Sequence, residues 1–267
     1  MPKRTLNEIR AAAQAGTPHA KRPAKDPADA ARSGISRRQT ARPEATQWRE
    51  ELQAGLLERQ AAEQGFERVA GVDEAGRGPL AGPLVAAAVV LGHPLPELND
   101  SKQLTPATRA RLFAMLQNGP HAIGIAIIPP EEIDRLGIQP ANYAAMRRAV
   151  NQITPPPDYL LVDGFDVPGC PLPQCRVIKG DCRSQSIAAA SILAKVTRDR
   201  IMEELDGLYP QYGFARHKGY GTREHLEAIA RFGPCPHHRR SFAPLARSLE
   251  TEPLFSKLDK DASSCAT

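Results

Sequence analysis

Four acidic residues define the chemistry open to this chain. Asp73 and Glu74 stand side by side, Asp163 follows 90 residues after Asp73, and Asp181 lies a further 18 on. Four carboxylates drawn into one small cleft repel one another, and their clustering costs stability unless cations neutralise them. Oxygen-only ligands select hard cations, Mg²⁺ or Mn²⁺, and two such ions about 3.5 to 4 Å apart suit in-line phosphoryl hydrolysis. No histidine is needed as the base, because water held by such an ion can be the nucleophile. Taken singly, Asp163 or Asp181 reads more readily as a solvated carboxylate at a strand end. The Asp73–Glu74 pair is harder to read that way, since Gly76, Arg77 and Gly78 follow it directly.

Neighbouring residues of a strand point to opposite faces. Asp73 and Glu74 are therefore expected to meet one ion only if the regular strand stops there, which Gly76, Gly78 and Gly82 permit. Arg77, held between two glycines, is placed to meet an anion. A second group of residues suits contact with a polar polymer. Tyr209, Tyr212, Phe214 and Tyr220 offer aromatic faces to bases or sugars, and His217, Lys218 and Arg223 offer charge-assisted donors. His217, His237 and His238 read as surface residues or phosphate contacts rather than catalysts. A phosphate-binding loop ending in Gly-Lys-Ser/Thr, a dinucleotide fingerprint and a Gly-x-Ser-x-Gly elbow are all absent.

The elements that must position these groups follow from pattern. Residues 1–44, rich in Ala, Pro, Arg and Lys, read as a disordered basic extension. The first 50 residues carry 11 Lys plus Arg against 5 Asp plus Glu, while the remaining 217 have 24 against 25. The chain's positive charge thus belongs to the tail, and the body has no general basic character. Arg239, Arg240 and Arg247 are left as a possible local footprint. Thr46 to Gln64 predicts a helix docked by Trp48, Leu52, Leu56 and Leu57, the core of a leading segment 45–65. Strands are expected at Glu67–Asp73, Leu84–Leu91, Ala122–Ile128, Tyr159–Asp163 and Cys175–Ile178. The second is apolar on both faces and so central. The link between the first two is too short for a crossover helix, which makes them antiparallel. Helices are expected after the cap Thr105, at Glu131–Leu136 and Asn142–Val150, after the cap Ser184, and from the cap Thr222 to Phe232. Asp163 then ends a buried strand, where open α/β sheets place ligands, and Asp181 stands before a helix start.

Five cysteines without repeating spacing argue for ordinary thiols rather than a disulfide framework. No apolar run is long enough to span a bilayer and the first residues lack the pattern of a secretory signal, so a cytoplasmic protein is expected; the basic, acid-poor tail also suits an organelle presequence. No heptad run suggests an oligomer, and a monomer is expected.

GVDEAGRGPLAGP at 71–83, DSK at 100–102, LLVDG at 160–164, KGDCRSQSIAAASILAKVTRDR at 179–200 and YGFARHKGYGT at 212–222 together resemble the bacterial ribonuclease HII family. The resemblance covers roughly residues 66 to 245, making 66–250 the catalytic domain and 251–267 a peripheral tail. It implies an α/β ribonuclease H-like fold: a mixed central sheet, its first three strands antiparallel, flanked by helices, with a helical C-terminal part. It implies a metal-dependent endonuclease that hydrolyses the RNA strand of RNA–DNA hybrids and incises 5′ to single ribonucleotides in duplex DNA, leaving 3′-hydroxyl and 5′-phosphate ends. By the same resemblance, Asp73, Glu74, Asp163 and Asp181 hold Mg²⁺ or Mn²⁺, with two ions expected during catalysis. Gly76, Arg77 and Gly78 read the ribose 2′-hydroxyl, Tyr220 meets the sugar, and Ser101, Lys102, Lys179, His217 and Lys218 contact substrate.

Two other nucleases remain as alternatives. A branched-DNA or transposase-like enzyme would share the fold, but the glycine motif with Tyr220 speaks for a sugar reader. Ribonuclease HIII usually has Lys in place of Arg77 and a folded N-terminal domain, which residues 1–60 do not suggest.

Overall fold

Seven consecutive apolar residues, Leu84–Val90, leave no side for water, so the strand they form has to be covered on both faces. In the computed structural model of the protein, which describes residues 41–98 and 104–246, all seven are buried. Leu84, Ala86, Ala88 and Val90 pack to one side and Val85, Ala87 and Val89 to the other.

Strands β1 (Val69–Ala75), β2 (Leu84–Val90), β3 (Ala122–Ile128), β4 (Tyr159–Asp163) and β5 (Gln174–Val177) form one sheet in the order β3-β2-β1-β4-β5. β2 runs antiparallel to both β1 and β3, the β1–β2 pairing following from its short link, and β4 and β5 add in parallel beside β1. In that register Val72 pairs with Val162, so Asp73 and Asp163 follow it at the same end of neighbouring strands.

Eight helices are used below: α1 (Ala41–Ala54), α2 (Leu56–Glu63), α3 (Pro106–Asn118), α4 (Pro130–Leu136), α5 (Ile138–Asn151), α6 (Gln185–Leu208), α7 (Phe214–His217) and α8 (Arg223–Phe232). Helices α4 and α5 cover one face of the sheet through Ile133, Ala145, Met146 and Val150. Helices α3 and α6 cover the other through Leu112, Phe113, Leu116 and the small residues Ala188 to Ala190. Close approach of α6 depends on Gly71, where a Cβ would lie 2.0 Å from the Ser186 carbonyl carbon. The Ser184 hydroxyl caps α6 by accepting from the Ile187 amide at 3.2 Å.

The leading segment differs from its expectation. It is two helices, broken at Gly55 in the left-handed region (φ 57°), a conformation that glycine adopts at little cost. Helix α1 begins at Ala41, inside the stretch expected to be disordered; residues 1–40 and 247–267 lie outside the described residues. The two helices dock on the start of α6. Glu51 pairs with Arg183 at 2.7 Å, and Glu58 Oε1 accepts from Ser184 Oγ, Ser186 Oγ and the Ser186 amide at 2.6, 2.8 and 2.9 Å.

Beyond α6, Met202, Leu205, Tyr212, Phe214, Ala228 and Cys235 make a satellite core. This corrects several surface assignments. Tyr212 and Phe214 are buried and stacked at 5.3 Å, and His238 and Arg239 are buried too, leaving Tyr220 as the aromatic of that group most open to solvent. The apolar bodies of these side chains fill the gap between α6 and α8, so they are spent on packing. No helix among the described residues is long and apolar enough to cross a membrane.

Candidate active site

Strand β1 does not stop before its acids. It stays regular through Ala75, with Asp73 opposite Ala87 and Glu74 opposite Ala86 on β2. The two carboxylates therefore leave opposite faces, and they border one cleft because the chain turns away immediately beyond them. At that turn Gly76 has φ 95°, and a Cβ there would sit 2.1 Å from Arg198 Nε, so no other residue fits. The cleft, of about 400 Å³, is lined by Asp73, Glu74, Gly76, Arg77, Gly78, Asp163, Ser191, Lys195, Arg198 and Tyr220.

Asp73 is buried on the α6 side, where Ser191 hydrogen-bonds it and the Glu74 amide donates to its Oδ1 at 2.7 Å. Burial, then repulsion from Asp163 and Glu74, holds its carboxyl well above the usual range. Burial also raises Glu74, opposed by the Arg77 guanidinium, and Asp163 raises it further. Glu74 faces α5, where the buried Asn142 amide favours its ionised form without completing a hydrogen bond of good geometry. Glu74 Oε2 itself is buried with no hydrogen-bond partner. Asp163 is oriented from behind, its Oδ1 accepting from the Gly180 amide at 2.7 Å.

Arg77 does not reach into the cleft as a free cation. Its guanidinium lies 3.5 Å from Glu74 Oε1, donates to Gln139 Oε1 at 2.7 Å and covers the Phe165 ring at 4.6 Å. The anion it meets is Glu74. Tyr220, 49% exposed, stands over Gly78, where an added Cβ would be 3.7 Å from the ring.

The remaining expected residues divide. Asp181 is buried and next to the Gly180 donor, with Cys182 Sγ 3.5 Å from its Oδ1, but it does not line the cleft. Lys179 is exposed and lies over the Trp48 ring at 4.4 Å. His217 spends both ring nitrogens internally, on the Tyr212 carbonyl at 2.7 Å and the Gly219 amide at 3.2 Å. Lys218 is ion-paired to Glu203 at 2.7 Å. Ser101 and Lys102 lie outside the described residues. Lining residues that sequence reading passed over are Ser191, Lys195 and Arg198. Their i, i+4, i+7 spacing puts them on one face of α6, a signal that was open to reading once Asp73 was assigned to the adjacent strand end.

Among the described residues no group of three or more His, Cys, Asp or Glu forms a ready-made metal cage. The donor set nonetheless suits a hard divalent cation: three oxygen-bearing acids share a cleft, two are forced toward the neutral form by burial, and one buried oxygen has no partner.

A family model described as Ribonuclease HII matches residues 70–245. The chain is 58% identical over 216 residues to Ribonuclease HII of Geobacillus kaustophilus, covering 80% of this chain and 82% of that one. Ribonuclease HII of Geobacter sulfurreducens is 57% identical over 188 residues, covering 70% and 87%. Among solved structures, ribonuclease H2 from Pyrococcus horikoshii superposes with a TM-score of 0.59 at 30% identity, covering 69% of this chain and 98% of that one.

Proposed function

Because this chain belongs to the ribonuclease HII family, we propose that the cleft joining Asp73, Glu74 and Asp163 to Gly76–Gly78 and Tyr220 is where it cuts nucleic acid. It is an endoribonuclease acting on RNA–DNA hybrids and on ribonucleotides within duplex DNA. The finer reading is incision 5′ to the ribonucleotide, leaving 3′-hydroxyl and 5′-phosphate ends. One observation carries the ribose-dependent cutting: acids suited to divalent cations share a single cleft with glycine backbone and an exposed tyrosine ring suited to a sugar, while the side of incision follows from the family.

Asp73, Glu74 and Asp163 would hold the cation, with Asp181, which follows the Gly180 amide that donates to Asp163, as the fourth acid. Mg²⁺ or Mn²⁺ bound there supplies neutralisation of phosphate charge and acidification of water. The chain's own residues do the rest. The Gly180 amide fixes the direction of Asp163, Ser191 fixes Asp73, and Arg77 with Gln139 fixes Glu74, so that the carboxylates meet the cation already oriented. Backbone amides at Arg77 and Gly78 approach the sugar edge, where only RNA carries a 2′-hydroxyl, and the Tyr220 ring packs on the sugar at the DNA–RNA junction. Lys195, held to Asp199, adds positive charge on the α6 wall for the phosphate backbone. Action as a monomer in the cytoplasm is proposed, since the sequence has no heptad run that would suggest an oligomer.

Duplexes with zero, one or several ribonucleotides, incubated with Mg²⁺ or Mn²⁺, test this reading. Cutting is expected only where ribose is present. Equal cutting of all three, or cutting of branched all-DNA substrates, would overturn it.

A further inference from the structure

Two arginines are buried beneath the cleft, and all their hydrogen bonds go to main-chain carbonyls. Arg239 donates through Nη2 to the Gly76 carbonyl at 2.6 Å, through Nη1 to that of Arg77 at 3.0 Å and through Nε to that of Gly82 at 3.0 Å. Arg198 donates through Nε to the Pro83 carbonyl at 2.9 Å, and through Nη2 to those of Ala81 and Lys218 at 3.1 and 3.0 Å. Burying a cation without a carboxylate is costly, and burial lowers Arg239 to about 9. Apolar side chains would fill the same space more cheaply. What the arginines provide instead is donors for a loop that is neither helix nor sheet, whose carbonyls need partners.

The orientation of that loop follows. In a planar trans peptide the carbonyl of one residue and the amide of the next point in opposite directions. With the carbonyls of Gly76 and Arg77 turned onto Arg239, the amides of Arg77 and Gly78 are turned away from it. Neither amide donates to another backbone group among the described residues, and both residues line the cleft with Tyr220.

Tyr220 is tied to the same clamp. His225 Nδ1 lies 2.9 Å from the Tyr220 carbonyl and must donate to it. His225 Nε2 then accepts from His238 Nε2 at 3.1 Å, and His238 Nδ1 accepts from the Cys235 amide at 2.9 Å. His238 precedes Arg239 in the chain, so this one-way relay links the tyrosine loop to the residue that holds the glycine loop.

We propose that Arg239, supported by Arg198, is a positioning residue for sugar recognition, turning the amides of Arg77 and Gly78 toward the ribose and keeping Tyr220 in register with them. This rests on the reading of that loop as the ribose contact.

The test uses the full chain with Arg239→Gln and Arg239→Lys, and duplexes carrying one ribonucleotide or none. Arg239→Gln is expected to lower kcat/KM on the ribonucleotide duplex about 100-fold, the scale for a displaced positioning contact. Arg239→Lys should recover part of this, since an ammonium reaches a carbonyl but does not hold two in one plane. Calorimetric titration with Mn²⁺ should give wild-type affinity in both, which a general collapse of the site would not. A folded Arg239→Gln protein with wild-type kcat/KM overturns the inference.

Should both variants fail to fold, amide hydrogen exchange on the chain with native Arg239 decides. The Arg77 and Gly78 amides should exchange quickly in the free protein and slowly when an Asp163→Asn chain holds the uncut ribonucleotide duplex. Slow exchange in the free protein overturns the inference. Fast exchange that all-DNA and ribonucleotide duplexes protect equally overturns the ribose reading itself.

Discussion

Asp73 and Glu74 are consecutive in β1 and leave the sheet on opposite faces, Asp73 toward Ser191 on α6 and Glu74 toward Asn142 on α5. They reach one cleft because the strand ends one residue later, at Ala75, and the chain turns away at Gly76. The site thus wraps around the end of the central strand, with a helix wall behind each acid.

That placement predicts a trade between stability and cation binding. Asp73 has a folded pKa raised by burial, Asp163 and Glu74, so its ionised form destabilises the fold at neutral pH, and this cost fades as pH falls toward the unfolded value near 3.8. In EDTA at pH 7, Asp73→Asn should melt higher than the native chain, and the gap should close as pH falls toward the unfolded value near 3.8. The variant should also lose the rise in melting temperature that Mn²⁺ gives the native chain. A lower melting temperature at pH 7 in EDTA would contradict the account of Asp73 as a strained carboxylate waiting for a cation.

The histidine relay predicts the opposite pH sense. Burial, with His225 close by, lowers His238 to about 4 from an ordinary 6.5. Between those values the unfolded chain binds the proton and the folded chain does not, so stability should be unaffected by this group above pH 6.5 and fall as pH drops toward 4. The full span amounts to about 3 kcal/mol. Urea midpoints measured from pH 8 to 4 check it. Replacing His238 with Gln should flatten that slope while lowering stability at pH 8; an unchanged slope would remove His238 as its source.

Much of this was legible in the sequence, for identifiable reasons. The all-apolar Leu84–Val90, the caps Thr105, Ser184 and Thr222, and the strand end at Asp163 each carry a local signal that tertiary packing reinforced. The break at Gly55 was not legible, because a glycine inside a helical pattern is tolerated as often as it bends the chain. Nor was the burial of Tyr212, Phe214, His238 and Arg239. Their types suit a nucleic-acid surface equally well, and only the satellite core that forms between α6 and α8 decides between the two.

Gly76 gives a sharper test of the turn than any acid does. With φ 95° and Arg198 Nε 2.1 Å from an added Cβ, Gly76→Ala must both strain the backbone and displace a buried guanidinium. A loss of about 2–4 kcal/mol is expected in chemical denaturation, with strongly reduced ribonucleotide cutting. By contrast Gly78→Ala meets nothing nearer than the Tyr220 ring at 3.7 Å and should fold normally. Equal stability of the two variants would show that the loop relaxes freely.

Tyr220 separates recognition from folding most cleanly. Its backbone is held by the His217 carbonyl, the Thr222 amide and His225, whereas its ring is half exposed over Gly78. Tyr220→Ala should therefore leave the melting temperature nearly unchanged, within about 0.5 kcal/mol, as for a surface substitution. A ring packed on a sugar or base is worth about 1–3 kcal/mol, so kcat/KM on a single-ribonucleotide duplex should fall by roughly 5- to 150-fold. Tyr220→Phe keeps the ring and should stay close to wild type. Steady-state kinetics on both variants, with Mn²⁺ titration to show that cation affinity is intact, decide the matter. If Tyr220→Ala cuts as well as the native chain, the ring has no part in reading the sugar, and the glycine amides must do so alone.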